Sequence, residues 1–125
     1  MSRKIFLDTF YRQFADFLDQ LTAAFPEDSD FRAYKVGLFL LQKTNPMIVP
    51  SEVTKHVVPF EATVRARDSD FFLKYEFSEY ADDSALDQVI GKLKNMWTTL
   101  SDNNKKVVWD YITLLLDLAK RCTSQ

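Results

Sequence analysis

Apolar residues recur at spacings of three and four along most of this chain, the period of an amphipathic helix. From about Lys4 to Ala24, Phe6, Phe10, Phe14, Phe17, Leu18 and Leu21 share one face, with Phe25 just beyond. Asp8, Arg12, Asp16 and Asp19 take much of the other side. Pro26 stops this segment, and Asp28 or Ser29 can cap a second helix from Asp30 to Thr44. Phe31, Tyr34, Leu38 and Leu41 make its stripe, which Val36, Phe39 and Leu40 widen. A helix apolar on most sides is expected at the centre of a bundle. Gly37, which costs about 1 kcal/mol relative to Ala inside a helix, is expected to admit a closely packed neighbour.

Asn45-Pro46 ends the second helix, because proline restricts the residue before it. Pro50-Ser51-Glu52 opens another, in which Val53, Val57, Phe60 and Val64 step by four, three and four. Pro59 interrupts it. Over the same stretch Val58, Phe60, Ala62, Val64 and Ala66 alternate with other residues, as do Leu73, Tyr75 and Phe77. A hairpin turning at Asp68-Ser69-Asp70 is therefore a rival reading. Two helices broken near Pro59 are favoured, since an isolated two-stranded ribbon is marginal without a larger sheet. A short helical turn then carries Phe71, Phe72 and Leu73, and Tyr75 to Asp83 reads as an acidic, aromatic loop. Asp83 or Ser84 caps a helix from Ala85 to Leu100, with Leu86, Ile90, Leu93, Trp97 and Leu100 inward. Ser101-Asp102-Asn103-Asn104 breaks and caps again. The last helix, about Asn103 to Arg121, buries Val108, Trp109, Ile112, Leu115, Leu116 and Ala119.

The pattern predicts one all-α domain over residues 1–125, a compact bundle of five to six helices. Its second helix should be central, and its two tryptophan-bearing helices should form a C-terminal hairpin. The alternative is an α+β fold with a small hairpin in the middle third. Only two glycines occur, too few for the tight turns of an all-β fold.

Composition narrows the function classes. Eleven Phe among 125 residues indicate a filled aromatic core with rings to spare. A net charge of −2 gives no bulk attraction to nucleic acid or anionic lipid. The one cysteine, Cys122, has no partner within the chain for a disulfide. No apolar run approaches the length of a bilayer span. A cytoplasmic protein without membrane association is the expectation.

Catalysis requires convergent titratable groups, and the inventory is thin. His56 is the only histidine, and Cys122 sits at the end of a helix, where the dipole disfavours a thiolate. No zinc spacing and no phosphate-binding glycine loop can be drawn. Glu76, Glu79, Asp82 and Asp83 lack the plan of a calcium loop. No catalytic residue, metal or cofactor is assigned, and the chain reads as a non-enzyme. Rings mixed with acids suit a protein partner that has apolar pockets and a basic rim, so Phe72, Tyr75, Phe77 and Tyr80 are the candidate partner-binding residues. Nucleic acid is the less favoured alternative. Lys92, Lys94, Lys105, Lys106, Lys120 and Arg121, with Arg65 and Arg67, are scattered and partly balanced by Asp102, Asp110 and Asp117.

Three stretches carry a resemblance. They are Phe25-Pro26-Glu27-Asp28 with Phe31, Gln42-Lys43-Thr44-Asn45-Pro46-Met47, and the run from Trp97 to Tyr111. In these the chain resembles a small group of uncharacterised helical proteins encoded by large DNA viruses of algae and protists. The resemblance implies a compact helical protein of a virus factory, infected cytoplasm or virion. It transfers no activity, ligand or site residue. The expected function is a non-enzymatic protein-interaction or structural module, of viral accessory or virion type, with the partner's identity and the oligomeric state left open.

Overall fold

A computed structural model describes residues 3–74 and 85–124, and these are helical with no strand. In chain order the helices are α1 (Arg3–Ala24), α2 (Asp30–Thr44), α3 (Ile48–His56), α4 (Glu61–Arg65), α5 (Asp70–Lys74), α6 (Ala85–Met96) and α7 (Asp102–Thr123). Short 3₁₀ turns at Val58–Phe60 and Trp97–Thr99 precede α4 and follow α6. The all-α architecture expected from the apolar period is what the chain adopts.

The centre of the molecule is the pair α1 and α7. Phe10, Tyr11, Phe14, Phe17, Leu18 and Leu21 are all buried along α1. α7 packs mainly on α1 and α3, and α2 lies on the other flank of α1, reaching α6. Phe17 stacks on Tyr111 of α7, with centroids 5.1 Å apart and rings 16° from parallel. The Tyr11 hydroxyl donates to the Pro46 carbonyl at 2.6 Å, so the buried phenol is satisfied while it pins the α2–α3 connection. The expected central position of α2 is therefore corrected. Only Phe31 and Leu38 of α2 are buried, and Val36, Phe39 and Leu40 face outward. The expected close approach at Gly37 is corrected as well, since a Cβ built there would meet nothing within 4 Å.

The described part of the middle third, up to Lys74, is helical for a reason visible in its turns. Pro50 lies in the first turn of α3 and Pro59 at the start of a 3₁₀ turn, positions where a missing N–H forfeits no helix bond. The hairpin rival fails at Asp68. The Asp68 N–H donates to the Thr63 carbonyl at 3.0 Å and the Arg67 N–H to Val64 at 2.9 Å. Arg67 has a φ of 54°. This is the Schellman arrangement that ends a helix, with arginine where glycine is usual. Asp68 then turns its Oδ1 to the Asp70 N–H at 2.9 Å and starts α5. The turn-forming residues thus join two helices. In the supposed strand only Val64 is buried, and Ala62 and Ala66 are exposed.

α5 delivers Phe71 and Phe72 to an aromatic cluster with Trp97 and Trp109. Phe72 lies 4.4 Å from Trp97 and 5.3 Å from Trp109, and the two tryptophans meet edge to face at 5.4 Å. The Trp97 Nε1–H donates to Ser69 Oγ at 2.9 Å. The expected meeting of Trp97 with Trp109 holds, but α7 takes α1 and α3 as its principal neighbours, so α6 and α7 are not a side-by-side hairpin. Ser101 caps α7, its Oγ accepting from the Asn104 N–H at 3.1 Å.

Two stability outcomes follow from this packing. Trp109→Ala should cost about 3–5 kcal/mol in denaturant unfolding, as for other large aromatic truncations in cores. Gly37→Ala should stabilise by about 0.5–1 kcal/mol, because the position is helical and open. A loss of stability on Gly37→Ala would show that something packs against that site.

Candidate functional site

Of the residues predicted to bind a partner, the structure describes Phe72 alone. Phe72 is 1% exposed and wedged between Trp97 and Trp109, which corrects its assignment as a partner contact. A five-residue helix beside two tryptophans gains more by burying that ring than by showing it. Tyr75, Phe77 and Tyr80 lie outside the described residues.

Among the described residues, exposed large apolar side chains are grouped on α2. Val36 is 71% exposed, Leu40 61% and Phe39 41%. At 100° per residue Val36 and Leu40 lie opposite the buried Phe31 and Leu38, and Phe39 flanks them on the same outward side. Exposed Ala33 and open Gly37 border them. Ile5 on α1 and Leu114 on α7 are also exposed, each as a single apolar residue on its helix. The same angular spacing places Arg32 and Lys43 in line with the stripe, one beyond each end, and both are exposed. The outward line of α2 thus reads cation, three apolar groups, cation over roughly 16 Å.

Neighbouring groups hold the helix so that this face stays outward. Lys92 of α6 bonds Asp28 at 2.7 Å and Asp30 at 2.8 Å, tying the start of α2 to α6. Asp28 also accepts from the Asp30 N–H at 2.9 Å and so caps α2. Farther along, Lys35 reaches Asp19 of α1 at 2.7 Å, and its ammonium lies 5.8 Å from the Phe39 ring centroid. Bonds from Lys92 and then from the Asp30 N–H hold the Asp28 carboxyl below its ordinary value, and Asp28 and Asp30 in turn hold the Lys92 ammonium above its own.

Elsewhere the chemistry is structural. Among the described residues no group of three or more His, Cys, Asp or Glu is placed to hold a metal. Cys122 is buried in α7, and burial pushes its thiol upward, away from nucleophilic form. His56 ends α3, half-buried. Many of the candidate phosphate-binding cations are engaged with carboxylates. Arg65 pairs with Glu61 and Asp117, Lys120 with Glu61, and Arg67 and Lys106 with Asp110. An open cleft of about 590 Å³ beside α2 is lined by Phe25, Pro26, Glu27, Asp28, Ser29 and Lys92, and of its charges Asp28 and Lys92 are engaged with each other in the α2–α6 tie. A void of about 30 Å³ among Phe14, Phe17, Val53, Leu93 and Ile112 is apolar and has room for little more than a water.

No family model, curated protein or solved structure matches the chain. No helix among the described residues is long and apolar enough to cross a membrane.

Sequence reasoning missed Val36, Phe39 and Leu40 because it assigned them to the core. The signal was present in the angles, since Val36 and Leu40 lie on the far side of the helix from Phe31 and Leu38, and one helix seldom buries two opposite faces at the edge of a small bundle.

The α2–α6 tie has a definite pH window. A carboxylate with a lowered folded pKa contributes stability above its ordinary value of 3.8, and loses it as pH falls through the folded value. An ammonium with a raised folded pKa contributes below its ordinary 10.5 and loses that contribution above it. Lys92→Met should therefore lower Tm across pH 5–9 by an amount that shrinks toward zero at about pH 2. A gap between the two melting curves that stays constant down to that pH would show that Lys92 acts by packing alone.

Proposed function

We propose that this chain is a non-enzymatic protein-interaction module and that the outer face of α2 is its docking element. The observation that carries the reading is the stripe of Val36, Phe39 and Leu40, which remains in water on a helix whose other side is already packed. Polar residues ordinarily occupy that position on a surface helix. An apolar stripe at helical spacing is the form in which helix-mediated contacts present their anchors. The helix is preformed and pinned at Asp28, Asp30 and Lys35, so docking on it costs little ordering. A cytoplasmic accessory or virion-associated role agrees with the resemblance to proteins of large DNA viruses. A nucleic-acid-associated factor is less well supported, because Arg65, Arg67, Lys92, Lys106 and Lys120 are occupied by carboxylates.

A photo-crosslinking side chain placed at Leu40, and as a control at exposed Asn103 on α7, tests the reading in extracts of cells that make the protein. A discrete crosslinked product is expected from position 40 alone, and it should disappear when Val36→Ser and Phe39→Ser are added. Val36→Ser should change folding stability by no more than about 0.5 kcal/mol, as at other surface positions. Phe39 is 41% exposed and lies beside Lys35, so the melting temperature of the double variant is measured alongside to show that it is folded. Equal products from both positions, or products untouched by the serine substitutions, would remove α2 as the docking element.

A further inference from the structure

Building on the docking role of α2, we infer that its partner is an amphipathic helix carrying acidic residues at the two ends of its apolar face. α2 holds three cations, Arg32, Lys35 and Lys43, against one carboxylate, Asp30, in a protein whose net charge is −2. Its rim is thus locally basic on an acidic molecule. Asp30 is neutralised by Lys92, and Lys35 by Asp19. Arg32 donates to the Pro26 carbonyl at 3.5 Å and lies near enough to Asp28 to favour its charged form, but Asp28 is bonded by Lys92. Neither Arg32 nor Lys43 has an ion-pair partner of its own among the described residues. These two cations bracket the apolar stripe about three helical turns apart. A helix laid along α2 would place its own apolar side chains on Val36, Phe39 and Leu40. Carboxylates one turn beyond each end would then meet Arg32 and Lys43, giving an apolar centre with a charged rim.

The same charges argue against the other occupants. A second copy related by a two-fold axis, with its α2 antiparallel, would bring Arg32 against Lys43 at both ends of the contact. A parallel arrangement would set each cation against itself. Like charges so placed oppose association. An anionic membrane would also suit Arg32 and Lys43, but two available cations on a protein of net charge −2 give it weak attraction to a lipid surface.

The inference is tested with two labelled helical peptides that carry the same leucine face, one with Glu and one with Lys at the flanking positions. Fluorescence anisotropy with the full chain should show the Glu peptide binding at least about tenfold more tightly at low salt, with the gap closing as salt rises. The double variant Arg32→Glu/Lys43→Glu should reverse the preference, while its unchanged melting temperature shows that the fold is intact. Equal affinities, no binding of either peptide, or an unaltered preference in the double variant would overturn the inference. So would stronger association with phosphatidylserine vesicles, or self-association through α2 in sedimentation equilibrium. Failure here with a persisting position-40 crosslink would reject the acidic helix and keep α2 as the docking element. Loss of that crosslink would reject both.

Discussion

Burial of the aromatic stripe of α1 against α7 is the constraint around which the rest of the molecule is arranged. Phe10, Tyr11, Phe14, Phe17, Leu18 and Leu21 run through three turns of one helix, and each buried side chain of this kind contributes roughly 1.5–3 kcal/mol. Only a helix of similar length can cover such a stripe, and α7 is the other 22-residue helix among those described. Once these two are paired, α3 packs on α7 and α2 takes the remaining flank of α1. α2 is left at the edge with more apolar surface than its position can hide.

The short middle helices are placed by a different kind of interaction. α4 and α5 have five residues each, too few to be stable alone. Phe71 and Phe72 anchor them through the tryptophan cluster, and the ion pairs of Arg65 and Arg67 with Asp117 and Asp110 join this region to α7. Exposed pairs of this type contribute little individually. Here they align elements that aromatic burial has already brought together. Arg67 accepts a left-handed backbone at some conformational cost, and in that position its side chain reaches Asp110.

The docking role proposed for α2 rests on how this packing disposes the polar and apolar groups. The buried cysteine is held as a thiol, and carboxylates around the molecule are engaged by lysine and arginine. What faces outward with no covering is a rigid helical bar with an apolar middle and basic ends. Its rigidity has the same origin as the fold, because the contacts that pin the buried side of α2 also fix the direction in which Val36, Phe39 and Leu40 point.

The helices themselves were legible from local pattern. The bounds of α2 coincide with the reading from period and caps, α1 and α7 differ from it by a residue or two, and the breaks at Pro26, Pro46 and Ser101 follow from backbone sterics and capping. These are properties of a few adjacent residues, so the chain alone determines them. Which apolar face lies inside is not such a property. Phe31 and Val36 are both apolar residues of a good helix, and only competition among α1, α3, α6 and α7 for a limited interior decided that one is buried and the other exposed. The same competition drew Phe72 into the core. Periodicity shows that a helix has surface to bury, while the packing of the other helices determines how much of it the fold can accommodate.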